Sequence, residues 1–225
     1  MEKKIKALIF DMDGVLINTE PMHYEMWKRA FANHGLEIEY DKYKGCIGST
    51  HEFLMDLIWK NYGVDFRGNM AIRKEAMEIK KQMIREEGFP AMPGVSQMLQ
   101  GLHDAGYLLA IASSSPVNYI EMAMQYLGVK DYFAVINSGE NVQHSKPAPD
   151  IYLNTAEKLK VKPEQCVVLE DSTNGSLSAT SAGMLCVGFY NPDSGEQDLS
   201  RTCVVIDDLK QYTDSFIQNL ERKYL

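Results

Sequence analysis

An apolar run that begins near Ile5 and closes with Leu8-Ile9-Phe10 stops at Asp11-Met12-Asp13-Gly14-Val15. Such a run reads as a strand buried on both faces, the kind that parallel sheets contain. Carboxylates two residues apart at a strand end can reach into one crevice. There they are able to hold a hard cation, present a nucleophile or carry a proton. Taken alone, the same residues also suit an ordinary Asp-Gly turn.

Two more apolar runs end in polar clusters. Leu108-Leu109-Ala110-Ile111 leads into Ala112-Ser113-Ser114-Ser115, and Cys166-Val167-Val168-Leu169 leads into Glu170-Asp171-Ser172. Between them lies Lys146-Pro147-Ala148-Pro149-Asp150. Each cluster has a bland reading by itself. Lys146 suits a solvated loop, the serines suit a helix cap, and Glu170-Asp171 suits an acidic turn.

Strand-like and helical stretches alternate along most of the chain. Strands are expected at 5–10, 107–112, 133–136, 166–169, 184–189 and 204–206. Helices are expected at 95–105, 117–127, 150–159, 176–182 and 209–220, punctuated by Pro93-Gly94, Gly106, Pro116, Gly128 and Pro149. That alternation means βαβ units and a parallel sheet with right-handed crossovers. In open sheets of this kind, ligands bind beyond the carboxyl ends of the strands. Asp11, Ser113 and Asp171 all fall just past such ends, and Lys146 is in a loop before a helix.

From Glu20 to about Glu87 the alternation fails. Helices are expected near 21–34, 51–62 and 71–87, with no strand among them. Roughly 70 helical residues are too many for a crossover loop. The fold class expected is therefore α/β: a Rossmann-like parallel sheet core, residues 1–17 and 91–225, with a helical cap inserted at 18–90. Hinges are expected near Ile17–Glu20 and Gly88–Pro93.

A chain of 225 residues with a net charge of −8 has no general nucleic-acid or membrane-surface character. A phosphate ligand remains compatible, because a cation and a lysine reverse the sign locally. Cys46, Cys166, Cys186 and Cys203 lack the spacing of a zinc site or a disulfide framework and read as reduced thiols. With no signal peptide and no membrane-length apolar stretch, a cytoplasmic protein is expected, and a monomer because the inserted cap already supplies a cover for the site.

In the order Asp-x-Asp, Ser, Lys, Glu-Asp, the whole chain resembles the haloacid dehalogenase superfamily of phosphotransferases. Asp11-Met12-Asp13-Gly14-Val15-Leu16, Lys146-Pro147-x-Pro149-Asp150-Ile151-Tyr152 and Leu169-Glu170-Asp171-Ser172 are similar to the branch of β-phosphoglucomutase and related sugar phosphatases. The resemblance implies that Asp11 attacks phosphorus and becomes an aspartyl-phosphate, which splits one hard step into two. It implies that Asp13 is general acid and base, worth ~10²–10⁴-fold. Mg2+ is the implied cofactor, held by Asp11, the backbone carbonyl of Asp13 and Asp171, with Glu170 a ligand or in the outer shell. Lys146 supplies fixed positive charge. Ser113 and the amides of Ser114 and Ser115 would donate to the phosphoryl group. Dehalogenases lack an aspartate at the position of Asp13, so carbon–halogen cleavage is not expected.

The resemblance also implies that the cap excludes water and selects the substrate. Thr19, His23 and Trp27 match a threonine, histidine and tryptophan near the first hinge of the mutases. Trp27, with Tyr24 and Phe31 at helical spacing, also suits a core. After Gly48-Ser49-Thr50, His51 stands where the mutases carry an arginine for a distal phosphate. Arg73, Lys74, Lys80 and Lys81 are alternative counterparts of a cap lysine. Loss of a bidentate phosphate clamp shifts the expectation from mutase to phosphatase of a small phosphorylated metabolite. A phosphohexomutase is the alternative, and a non-catalytic sugar-phosphate binder is the reading from another class.

Overall fold

The computed structural model describes residues 4–47 and 50–225. Gly48 and Ser49, in the stretch that introduces His51, lie outside the described residues. In chain order the elements are strand β1 (Ala7–Phe10), helices α1 (Glu20–Ala32), α2 (Tyr40–Tyr43), α3 (His51–Tyr62), α4 (Met70–Glu87) and α5 (Val95–Asp104), then β2 (Leu108–Ser113), α6 (Val117–Tyr126), β3 (Phe133–Ser138), α7 (Asp150–Leu159), β4 (Cys166–Glu170), α8 (Thr173–Ser181), β5 (Leu185–Phe189), β6 (Val204–Ile206) and α9 (Asp214–Tyr224). Two compact units result. One comprises Met1–Ile17, Ala91–Asn191 and Gln197–Leu225; the other comprises Asn18–Pro90 and Pro192–Glu196.

The first unit is the α/β fold anticipated from the sequence. Its six strands are parallel, in the order β3-β2-β1-β4-β5-β6. β1 is central because its four residues are apolar and fully buried, so both faces need cover. The register sets Phe10 beside Ile111 on one side and Leu169 on the other. The chain therefore leaves β1 between the ends of β2 and β4, where the strand order reverses.

One face of the sheet, with Ala7, Ile9, Ala110, Cys166 and Val168, packs on Ile151, Tyr152 and Ala156 of α7 and Ala179 of α8. Phe10, which alternation turns to the other face, meets Phe133 and Tyr212 edge-on, at ring centroid separations of 6.3 and 6.0 Å.

The other unit is helical, with no strand among its described residues. Its core gathers Met26, Phe31, Leu54, Met55, Ile58 and Ile72 from α1, α3 and α4. Thr50 caps α3 through a bond from the Phe53 amide, and Gly63 closes that helix in the left-handed region at φ 71°. Asn69 caps α4 by accepting from the Ala71 and Ile72 amides. Pro192–Glu196, which sequence alone assigns to the sheet, belongs to this unit. Asn18 Nδ2 donates to Asp193 Oδ2 at 2.7 Å, and Gly195 abuts Ile47.

Several element boundaries differ from the sequence reading, and three have a clear local cause. The single helix expected at 209–220 is a 3-10 turn, Leu209–Gln211, followed by α9. Thr213 adopts extended backbone and caps α9 by accepting from the Phe216 amide, so a new helix starts there. α8 begins at Thr173 rather than residue 176, because Ser172 accepts from the Gly175 amide and caps it. β3 continues beyond residue 136 to Ser138 through its pairing with β2. Among the described residues, no helix is long and apolar enough to cross a membrane.

Phe10 tests the central strand. Truncation to alanine is expected to cost about 3–5 kcal/mol, because a fully buried aromatic leaves a cavity between Phe133 and Tyr212. Equilibrium urea unfolding of the Phe10→Ala variant measures it.

Candidate active site

The end of β1 carries Asp11, and its amide still donates to the Leu169 carbonyl of β4 at 3.0 Å. The Asp11 side chain is thereby presented at the strand end, 8% exposed. Lys146 reaches it from the loop before α7. Its ammonium donates to Asp11 Oδ1 at 2.7 Å, to Glu170 Oε1 at 2.6 Å and to the Ala112 carbonyl at 3.1 Å. It also lies 5.0 Å from the Tyr152 ring centroid.

Strand alternation explains why the neighbours Glu170 and Asp171 play different parts. Cys166, Val168 and Glu170 share one face of β4, the face that α7 and α8 cover. The Glu170 carboxylate is consequently fully buried. Oε1 accepts from Lys146 and from the Tyr152 hydroxyl at 3.0 Å; Oε2 accepts from the Ser172 amide and hydroxyl, both at 2.9 Å. Both oxygens are thus engaged inside the protein and hold Lys146, which suits the outer-shell alternative for Glu170 better than direct metal ligation. Asp171, past the strand end, is 5% exposed, and its carbonyl accepts from Gln197 Nε2.

The charges are unequal in their support. Burial by itself would lower the Lys146 ammonium, but Asp11 and Glu170 outweigh it and hold the group well above the usual lysine range. Burial by itself would raise Glu170, but Lys146 and Ser172 hold it below the ordinary carboxylate value. For Asp11 burial wins. Lys146 opposes it, Glu170 and Asp13 add to it, and the carboxyl is pushed up to about 7. The cluster thus holds more acid than one lysine offsets.

Asp13 follows at the turn where Gly14 takes φ 84°, a conformation that a side chain hinders. Asn191 Nδ2 holds that turn by donating to the Gly14 carbonyl at 3.2 Å. The Ser115 hydroxyl donates to Asp13 Oδ2 at 2.8 Å. Ser113 is buried and its hydroxyl oxygen accepts from the Ser115 amide at 3.1 Å. That bond corrects the expectation of a Ser115 amide turned out toward an anion. Ser114 is exposed. Burial raises the Tyr119 phenol of α6, and nearby Asp13 adds to the rise.

The fold thus brings together Asp11, Asp13, Ser113, Ser115, Lys146, Glu170 and Asp171. Tyr152, Ser172, Ser138, Asn191 and Gln197 were not found from the sequence. The Pro149-Asp150-Ile151-Tyr152 stretch was a usable signal for Tyr152, the third residue of α7, whose hydroxyl reaches Glu170 of β4. The others act through loop contacts that no spacing rule reveals.

The remaining candidates lie in the helical unit. Thr19 is buried, and Trp27 is 8% exposed, stacked between Phe31 and His51 at centroid separations of 5.5 and 5.4 Å. Trp27 therefore belongs to the core and also lines a cavity of about 420 Å3 with Glu20, His23, Thr50, His51 and Arg73. Of the four basic candidates, Lys80 is buried while Arg73, Lys74 and Lys81 are exposed. Lys80 Nζ donates to His23 Nε2 at 2.8 Å, which leaves the His23 proton on Nδ1, 3.7 Å from Glu20. His51 Nδ1 is buried with no hydrogen-bond partner among the described residues. Burial first, and then Arg73, lower its pKa and favour a neutral ring.

Carboxylates, a lysine and a serine gathered at the carboxyl ends of parallel strands mark the site of an α/β enzyme. Residues 8–189 match the family of haloacid dehalogenase-like hydrolases, and the chain belongs to that family. Enzymes of this family generally use a divalent metal. The chain is 32% identical over 200 residues to hexitol phosphatase B of Escherichia coli, covering 85% of this chain and 86% of that one. It is 31% identical over 180 residues to a phosphorylated carbohydrates phosphatase of Thermotoga maritima, covering 80% and 82%. Among solved structures, β-phosphoglucomutase of Clostridium difficile matches 98% of both chains at 26% identity and a TM-score of 0.74.

Two measurements probe the charge cluster. A β-carbon on Gly175 would overlap the carboxyl carbon and both carboxylate oxygens of Glu170. Gly175→Ala is therefore expected to lose about 1–3 kcal/mol in urea unfolding and to lower turnover by displacing Lys146. The second concerns pH. Asp11 carries a raised pKa, so between about pH 4 and 7 the folded state holds more protons than the unfolded one. Its contribution is present below that window and is lost as pH rises through 7. In chelator, Asp11→Asn is expected to raise the melting temperature at pH 8 and to do so less at pH 5.

Proposed function

We propose that this protein is a Mg2+-dependent phosphatase of small phosphorylated metabolites, sugar phosphates foremost, working through transient phosphorylation of Asp11. The observation that carries the reading is a buried Asp11 carboxylate, 2.7 Å from the Lys146 ammonium, at the strand end that also bears Asp13. An Asp11 oxygen attacks phosphorus as the ester O–P bond breaks, and Asp13 gives its proton to the leaving oxygen. Water then attacks the phosphorus carried by Asp11 and passes its proton to Asp13, while the Asp11 O–P bond breaks and inorganic phosphate leaves. Lys146 and Ser113 stabilise the transferring group, and burial strengthens both contributions.

The donor set suits a hard cation. Among the described residues no three His, Cys, Asp or Glu side chains form a ready cage. Asp11, Asp171 and the carbonyl of Asp13 would hold magnesium, an ion that keeps waters and substrate phosphate in its remaining positions. When bound, it would offset the burial that, with Glu170 and Asp13 adding to it, pushes Asp11 up to about 7.

The phosphatases of hexitols and of phosphorylated carbohydrates among the relatives support the substrate class. A phosphohexomutase is the second reading, because a β-phosphoglucomutase is among the solved structures this chain resembles. All four cysteines are free thiols, which suits the cytoplasm.

A panel of hexose and hexitol phosphates, with and without Mg2+, tests the proposal. Phosphate release that requires Mg2+ and falls ~10³-fold or more in Asp11→Asn is the expected result. Conversion of β-glucose 1-phosphate to glucose 6-phosphate, primed by a bisphosphate and without phosphate release, would replace it with the mutase. Absence of turnover throughout would leave the binder.

A further inference from the structure

The loop after β2 is held from the neighbouring strand. Ser138, the last residue of β3, is fully buried. Its hydroxyl donates to the Ser115 carbonyl at 2.7 Å and accepts from the Glu140 amide at 3.1 Å. Gly139 approaches so closely that a β-carbon there would lie 3.3 Å from Ser114 Cα. The Glu140 carboxylate accepts from the Val117 amide at 3.0 Å, at the start of α6. With its own amide bonded to Ser113 Oγ, Ser115 is fixed at both backbone groups. A half-buried serine so constrained has one free motion left, rotation of its hydroxyl, and that hydroxyl donates to Asp13 Oδ2 at 2.8 Å.

We propose that Ser115 is a positioning residue for Asp13, held in place by Ser138. Donation to Oδ2 fixes the plane of the Asp13 carboxyl. It also makes Oδ2 the accepting oxygen, so that the transferable proton resides on Oδ1. The inference rests on the proposed proton-carrying part of Asp13. Ser115 exchanges no proton itself: the Asp13 proton passes to the leaving oxygen as the ester O–P bond breaks and the Asp11 O–P bond forms.

Leaving-group dependence separates positioning from plain structural support. Ethyl phosphate and trifluoroethyl phosphate are nearly the same shape, but the trifluoroethoxide leaves with little need of a proton, and p-nitrophenolate with less. The full chain with Mg2+ is assayed for kcat/KM, which senses steps only up to transfer onto Asp11. In Ser115→Ala, kcat/KM is expected to fall ~10-fold for ethyl phosphate and less than ~3-fold for p-nitrophenyl phosphate, a fraction of the full acid–base contribution. Ser138→Ala should steepen the same dependence more weakly, and Ser115→Thr, which keeps the hydroxyl, should restore it. An equal loss on all three esters, or none, overturns the assignment. Asp13→Ala separates the two layers. If it leaves the leaving-group dependence unchanged, the reading of Asp13 itself fails. If it steepens the dependence and Ser115→Ala does not, only the assignment of Ser115 fails.

Discussion

One ammonium group between two buried carboxylates governs this site. Lys146 lies 2.7 Å from Asp11 and 2.6 Å from Glu170, in surroundings where an unpaired charge would be costly. The two acids do not share it equally. Glu170 also accepts from Tyr152 and Ser172, so its ionised form is well supported. Asp11 is the less supported partner, and burial lifts it to about 7. The geometry therefore leaves the strain of charge on the acid that faces the chemistry and removes it from the acid that anchors the lysine. A divalent cation bound beside Asp11 would relieve that strain.

The sheet makes this arrangement possible by placing β1 at its centre. Phe10 is in register with Ile111 and Leu169, so three strand ends open on one crevice. Glu170 and Asp171 then diverge because successive side chains in a strand point to opposite faces. The first enters the layer covered by α7 and α8, and the second stays at the mouth. Gly175 shows how tight the inner layer is, since Glu170 occupies the volume where a β-carbon would be. Around the mouth, neighbouring loops hold one another: Asn191 the Gly14 turn, Gln197 the Asp171 carbonyl, and Ser138 the Ser115 carbonyl.

Much of this was legible beforehand. Apolar runs located every strand, and α3 and α7 begin and end where the caps and stops placed them. Asp11, Asp13, Ser113, Lys146 and Asp171 stood out because each follows a strand or opens a helix in a recognisable order. Boundaries failed where a single serine or threonine cap decided them, as at Ser172 and Thr213. The inward turn of Glu170 was not legible, because an acidic pair does not reveal which member faces inward. Pro192–Glu196 was misassigned because contact with Asn18 and Ile47, far off in sequence, decides its place.

The chain by itself determined the parallel α/β class and the helical insertion, and it singled out polar side chains that gather at the strand ends. These follow from local periodicity and residue chemistry, which a linear string records. The folded structure alone decided which carboxylate anchors the lysine and which is left exposed to chemistry. It also decided that Lys80, among four basic residues, meets His23, and that Ser115 turns to Asp13. Those outcomes depend on distance and burial between residues from 24 to 135 positions apart, and only packing sets these.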